Sequence, residues 1–127
     1  MRPQGRQPKP RDIRERTFEF AVGIVQLCRA LETRSRAAAV LTGQLLRSGT
    51  SIGANVEEAQ AGQSRADFVS KYAVALKEAR ETSYWLRLLA ACEKTSDGRC
   101  GELMQEATEI GKIIGAIVVN TKSRGGR

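Results

Sequence analysis

All three prolines of this 127-residue chain fall within its first ten positions, at Pro3, Pro8 and Pro10. From Arg11 onward nothing interrupts a helical hydrogen-bond ladder, because proline is the residue that removes a donor and clashes with the preceding turn. Ala, Leu, Glu, Arg and Gln, all good helix formers, are abundant over that span. The length suits a single domain that buries one modest core without disulfide or metal staples. An all-α fold follows.

Apolar residues recur at helical spacing in four segments, at about 11–31, 36–61, 64–94 and 102–121. The first carries a stripe of Phe20, Ile24, Leu27 and Leu31, widened by Phe18, Val25 and Cys28. The second turns Leu41, Leu45, Ser48, Ile52, Asn55 or Val56, and Ala59 inward, with Ser35 as its N-cap. Gly49 and Gly53 lie inside that stripe, each costing roughly 1 kcal/mol of helix stability relative to Ala. Either residues 48–53 form a loop, or the glycines admit a neighbouring backbone at close range. The stripe keeps its phase across them, which favours the unbroken helix. Gly111 and Gly115 repeat the spacing in the fourth segment, whose inward residues are Leu103, Ala107, Ile110, Ile114 and Ile117. Gly62 is placed to end the second helix in the left-handed conformation, and Ser64 with Asp67 resembles a capping box for the third. Short connections favour an up-down-up-down antiparallel bundle. The expected organisation is a disordered basic arm at 1–10, the bundle at 11–121 and a basic tail at 122–127.

The apolar surface exceeds what one neighbour per helix can cover. From Tyr84 to Cys92 only Arg87 and the adjoining alanines relieve it, which predicts self-association. Tyr84, Trp85 and Leu88 are the candidate subunit contacts. Trp85 filling its own bundle's core is an equally weighted alternative. Ser48, Asn55, Glu58 and Glu81 read as a buried polar seam, which would fix helix register as one buried Asn does in a coiled coil.

Residues 1–16 and 122–127 account for the whole net charge of +7, leaving a neutral body. Basic ends on a neutral body suit contact with a polyanion, most often nucleic acid, or else serve only as solubilising disorder. The candidate contacts are Arg2, Arg6, Lys9, Arg11, Arg14, Arg16, Lys122, Arg124 and Arg127. The chain has three cysteines and no histidine, which argues against a zinc site or disulfide framework and suits a reducing cytoplasm. Cys28 and Cys92 read as core residues and Cys100 as an exposed loop thiol. No signal peptide is visible, and the most apolar run, Ile110 to Val119, is far shorter than the roughly 20 residues a membrane span needs. Catalysis is disfavoured. Glu57, Glu58, Glu78 and Glu81 could converge, but di-iron bundles use Glu-x-x-His pairs. Ser48 or Ser51 would lack a histidine base. No catalytic residue, metal or cofactor is expected.

The run Ser51-Ile52-Gly53-Ala54-Asn55-Val56-Glu57-Glu58, then Asp67-Phe68, Ala75-Leu76-Lys77-Glu78-Ala79, Glu81-Thr82 and Tyr84-Trp85-Leu86 resembles one family. It is the four-helix-bundle proteins named for intervening sequences of 23S ribosomal RNA genes. The resemblance spans about 17–121, departing at Glu58-Ala59-Gln60, where the family usually shows Glu-Gly. It implies a left-handed antiparallel bundle, a ring-like homopentamer and no accepted catalytic residues. A more distant similarity links the chain to the accessory protein of diversity-generating retroelements, which is basic and partners nucleic acid. The combined expectation is a non-enzymatic oligomer with weak, sequence-tolerant RNA binding through its ends. The alternative is a protein–protein adaptor or assembly module without nucleic-acid activity.

Overall fold

The computed structural model describes residues 12–62, 64–94 and 98–125. The arm expected at 1–10 lies outside them, as do Arg11 and Arg127. The described residues form four helices: α1 Ile13–Leu31, α2 Arg36–Gln60, α3 Arg65–Cys92 and α4 Arg99–Gly125.

Short polar side chains start the first three. An Asp12 carboxylate oxygen accepts from the Arg14 N–H at 2.9 Å, Ser35 Oγ from the Ala38 N–H at 2.9 Å and Ser64 Oγ from the Asp67 N–H at 3.0 Å. Each satisfies a first-turn donor that the helix itself leaves orphaned. α4 begins after Gly98, the one described residue with a left-handed φ, 73°. Gly62 does not adopt that conformation. α2 ends instead in a tightened turn, with the Ala61 N–H on the Glu58 carbonyl at 3.2 Å and the Gly62 N–H on that of Ala59 at 3.1 Å.

Cross-helix pairs fix the topology. Gly49 lies against Ile24 and Gly53 against Thr17. Ser48 pairs with Thr82 and Gln60 with Tyr72. Arg16 pairs with Glu106 and Gln26 with Arg99. In each set one number rises as its partner falls, so neighbouring helices run antiparallel. α1 and α3 both pack on α2 and α4, with the α1–α4 seam the slightest. α2 is continuous through Gly49 and Gly53.

Three helices bury most of their expected stripes: Phe20, Ile24, Leu27 and Leu31 from α1, Leu45, Ile52, Val56 and Ala59 from α2, and Ala107, Ile110 and Ile114 from α4. Leu41, Leu103 and Ile117 are only partly buried, and α3 adds Tyr72, Ala75, Ala79, Leu86 and Leu89 to the core. Phe18 departs from its stripe and is 67% exposed. Two of the three cysteine expectations are reversed. Cys28 is buried, but Cys92 is exposed and Cys100 buried. α4 starts at Arg99, earlier than the apolar spacing indicates, which puts Cys100 on the face of Leu103, Met104 and Ala107. Cys92 ends α3, past the last buried turn at Leu89. No described helix is long and apolar enough to cross a membrane.

Candidate functional site

Among the described residues five polar side chains are buried: Thr17, Thr42, Ser48, Glu78 and Thr82. Thr17 donates to the Ile13 carbonyl at 2.8 Å and Thr42 to that of Ala39 at 3.1 Å. The centre is the Ser48–Thr82 hydroxyl pair, 2.9 Å apart across α2 and α3. The Thr82 hydroxyl also lies 2.7 Å from the Glu78 carbonyl of its own helix. Outward of this pair, Arg47 spans two carboxylates, Glu78 at 3.3 Å and Glu81 at 2.7 Å. The Trp85 indole N–H donates to Glu81 at 3.4 Å. The Arg47 guanidinium holds the Glu81 carboxyl below its usual range. Among the described residues no buried side-chain nitrogen or oxygen lacks a partner, as a stable polar seam requires.

The seam therefore differs from the expected one. Ser48 belongs to it, but Asn55 is half-buried and bonds within its own helix, to the Ser51 carbonyl at 2.9 Å. Glu58 is exposed and pairs with Lys71 at 2.8 Å. Glu81 sits at the rim, while Glu78 and Thr82, one helical turn apart, point inward. Successive helix residues are turned by about 100°, so neighbours in sequence face different surroundings. The missed signal is the line Ala75, Glu78, Ala79, Thr82, Leu86, whose small residues mark the buried face.

The hydroxyl pair is expected to behave as one unit. Thr82→Val alone leaves Ser48 only a 3.4 Å contact with the Leu45 carbonyl, and should cost about 1–3 kcal/mol. Ser48→Ala costs less, because Thr82 keeps its bond to Glu78. The double variant should be closer to wild type than the summed single losses, since no buried hydroxyl is then left alone. Urea denaturation of all four chains measures the coupling; additive losses would show the pair is not a unit.

Two of the proposed nucleic-acid contacts are engaged by carboxylates. Arg16 makes a bidentate pair with Glu106, at 2.7 and 2.9 Å, and so staples α1 to α4. The chemistry expected to hold a phosphate is already used there. Arg14 pairs with Asp12 at 3.0 Å, both groups about half exposed. Lys122 and Arg124 are exposed on the last turn of α4. Arg2, Arg6, Lys9, Arg11 and Arg127 lie outside the described residues. At the proposed subunit contact, Trp85 and Leu88 are half-buried and Tyr84 is exposed. Trp85 packs against the edge of its own core and meets the Tyr84 ring edge-on, with centroids 5.1 Å apart. No His, Cys, Asp or Glu cluster among the described residues is arranged to hold a metal ion.

A family model described as 23S rRNA-intervening sequence protein matches residues 9–116. A solved structure, of a protein with unknown function from the S23 ribosomal protein family from Bacteroides thetaiotaomicron VPI-5482, is 44% identical in sequence. It superposes with a TM-score of 0.77, and the match covers 84% of this chain and 98% of that one. No curated protein matches the sequence.

Proposed function

The chain belongs to the 23S rRNA-intervening sequence protein family, and from that premise we propose a non-catalytic homo-oligomer that binds RNA weakly, with little regard to sequence, through its basic ends. The oligomer is a homopentameric ring and works in the cytoplasm, where its three cysteines stay reduced.

One observation carries the reading. In an antiparallel bundle of four helices, α4 returns to the pole where α1 begins. Exposed Lys122 and Arg124 therefore share that pole with Asp12, the residue that the basic N-terminal arm precedes. The net charge of the chain comes from residues 1–16 and 122–127, and the described parts of both segments lie at this end of the bundle. In a ring, each copy adds another such end, and avidity strengthens a contact that is weak alone. Exposed Phe18 and Val22, one turn apart on α1, supply apolar surface for association in addition to Trp85 and Leu88 on α3. The adaptor reading needs the same oligomer without the polyanion.

Fluorescence anisotropy with a labelled single-stranded RNA tests this. Log affinity should fall linearly with log salt between about 50 and 200 mM, by roughly 0.7 per phosphate neutralised. Removing residues 1–11 and changing Lys122, Arg124 and Arg127 to Gln should weaken binding by roughly tenfold or more, with the mass by light scattering unchanged. Affinity that is flat with salt, or that survives loss of both ends, would leave the adaptor.

A further inference from the structure

A cleft of about 450 Å³ runs between α3 and α4, lined by Leu76, Ala79, Arg80, Ser83, Lys112 and Gly115 among others. It continues into a second hollow of about 270 Å³, where Arg80, Tyr84, Arg87 and Met104 are among the lining residues. Together they follow α3 from Leu76 to Arg87, about 16 Å at roughly 1.5 Å per residue. The floor is low because small residues form it. A Cβ built at Gly111 or Gly115 would meet nothing within 4 Å.

The charge in this groove sets it apart. Among the described residues no carboxylate lines either hollow. Arg80, Arg87 and Lys112 have no ion-pair partner among the described residues. Two other clefts are different: Glu15 and Glu57 sit beside Arg14 in one, and Glu102 and Glu106 beside Arg16 in the other. The groove also holds an aromatic platform. Tyr84 is 49% exposed, and the Arg87 guanidinium lies over its ring at 5.9 Å from the centroid.

We propose that this groove is a second binding site, for single-stranded RNA, in which Arg80, Arg87 and Lys112 meet phosphates and Tyr84 stacks on a base. The assignment rests on the RNA reading above but places contacts on the folded body, away from the basic ends. Unpaired cations along a trough match a phosphate backbone, and an exposed ring accepts only a base free of its own duplex stack. Stacking on a π-face does not select a base, so the site is tolerant of sequence. Tyr84, expected from the sequence to contact another subunit, lines this groove in the single chain.

The test uses the full chain and the same labelled RNA. Arg80→Gln with Lys112→Gln should weaken binding about tenfold and reduce the salt slope by roughly 1.4, about 0.7 for each lost contact. Tyr84→Ala should weaken it about tenfold, while Tyr84→Phe stays within about twofold of wild type, because the ring and not the hydroxyl carries the stacking. Should Tyr84→Ala disturb the fold through its contact with Trp85, the surface pair Arg80 and Lys112 still decides. If wild type binds and depends on its ends, yet the groove variants bind equally well, the groove assignment is overturned and the basic-end reading stands. If wild type binds no RNA, both fall. If the groove variants change the mass in solution while affinity holds, the face belongs to another copy of the chain and the RNA site is wrong.

Discussion

Gly49→Val is expected to destabilise the bundle by about 3 kcal/mol, and Gly49→Ala by a smaller net amount. A Cβ at Gly49 would sit 2.9 Å from both Cγ atoms of Ile24, and Ile24 is fully buried. Ile24 cannot swing aside, because a β-branched side chain on a helix has essentially one rotamer. The close approach of α1 and α2 must therefore open, which breaks contacts along the whole seam. Against this stands a helix-propensity gain of about 1 kcal/mol for Gly→Ala, and less for valine. The same change in α4 should have the opposite sign. Gly111 and Gly115 have open space where a Cβ would go, so Gly111→Ala or Gly115→Ala should stabilise by about 0.5–1 kcal/mol. Urea midpoints of the four variants separate the cases. A Gly49→Ala chain that gains stability as Gly111→Ala does would show that α1 and α2 do not meet at that point.

The contrast shows what the sequence could reveal. Both glycine pairs have the same four-residue spacing, and both read as places for close helix approach. Only the surroundings tell them apart, and those come from another helix. Signals that act within one or two turns were legible: the Ser35 and Ser64 caps, most of the inward apolar lines of α1, α2 and α4, and the continuity of α2. Non-local pairings were not. The partner of Arg16 lies 90 residues away in the chain, so nothing near it marks the residue as a staple and not a phosphate contact. The seam lies between these limits. Its existence followed from polar residues on apolar helices, but choosing Thr82 and Glu78 over Glu81 and Asn55 requires the rotation of each helix, which its neighbours set. The α3–α4 groove was least legible, because an arginine on a helix reads the same whether or not a carboxylate faces it across the bundle.

Between pH about 9 and about 11 the chain is expected to lose on the order of 2–3 kcal/mol of stability that a Cys28→Ser chain retains, at about 1.36 kcal/mol for each pH unit that separates the folded thiol from the unfolded one. Burial, with the charge of Glu32 adding to it, pushes the Cys28 thiol from an ordinary 9.0 up to about 11. The side chain is 4% exposed and its S–H points at the Thr42 carbonyl at 3.4 Å. A thiolate there would lack solvent, and without its proton it would face the Thr42 carbonyl oxygen with no hydrogen bond between them. Below about 9 both folded and unfolded chains keep the proton and the contribution is whole. Above that, the unfolded chain releases its proton while the folded one still holds it, so stability falls as pH rises, levelling once the folded thiol ionises. Tyr72, which burial also shifts upward, adds a loss of the same sign to both chains and cancels in the comparison. Serine can make the bond to Thr42 and does not titrate in this range, so its urea midpoint should decline less steeply. Exposed Cys92 provides an internal check: in the native chain a thiol reagent should modify it before buried Cys28 and Cys100. Parallel pH curves for wild type and Cys28→Ser would mean that the thiol at position 28 ionises alike in both states, and that the α1–α2 seam admits water.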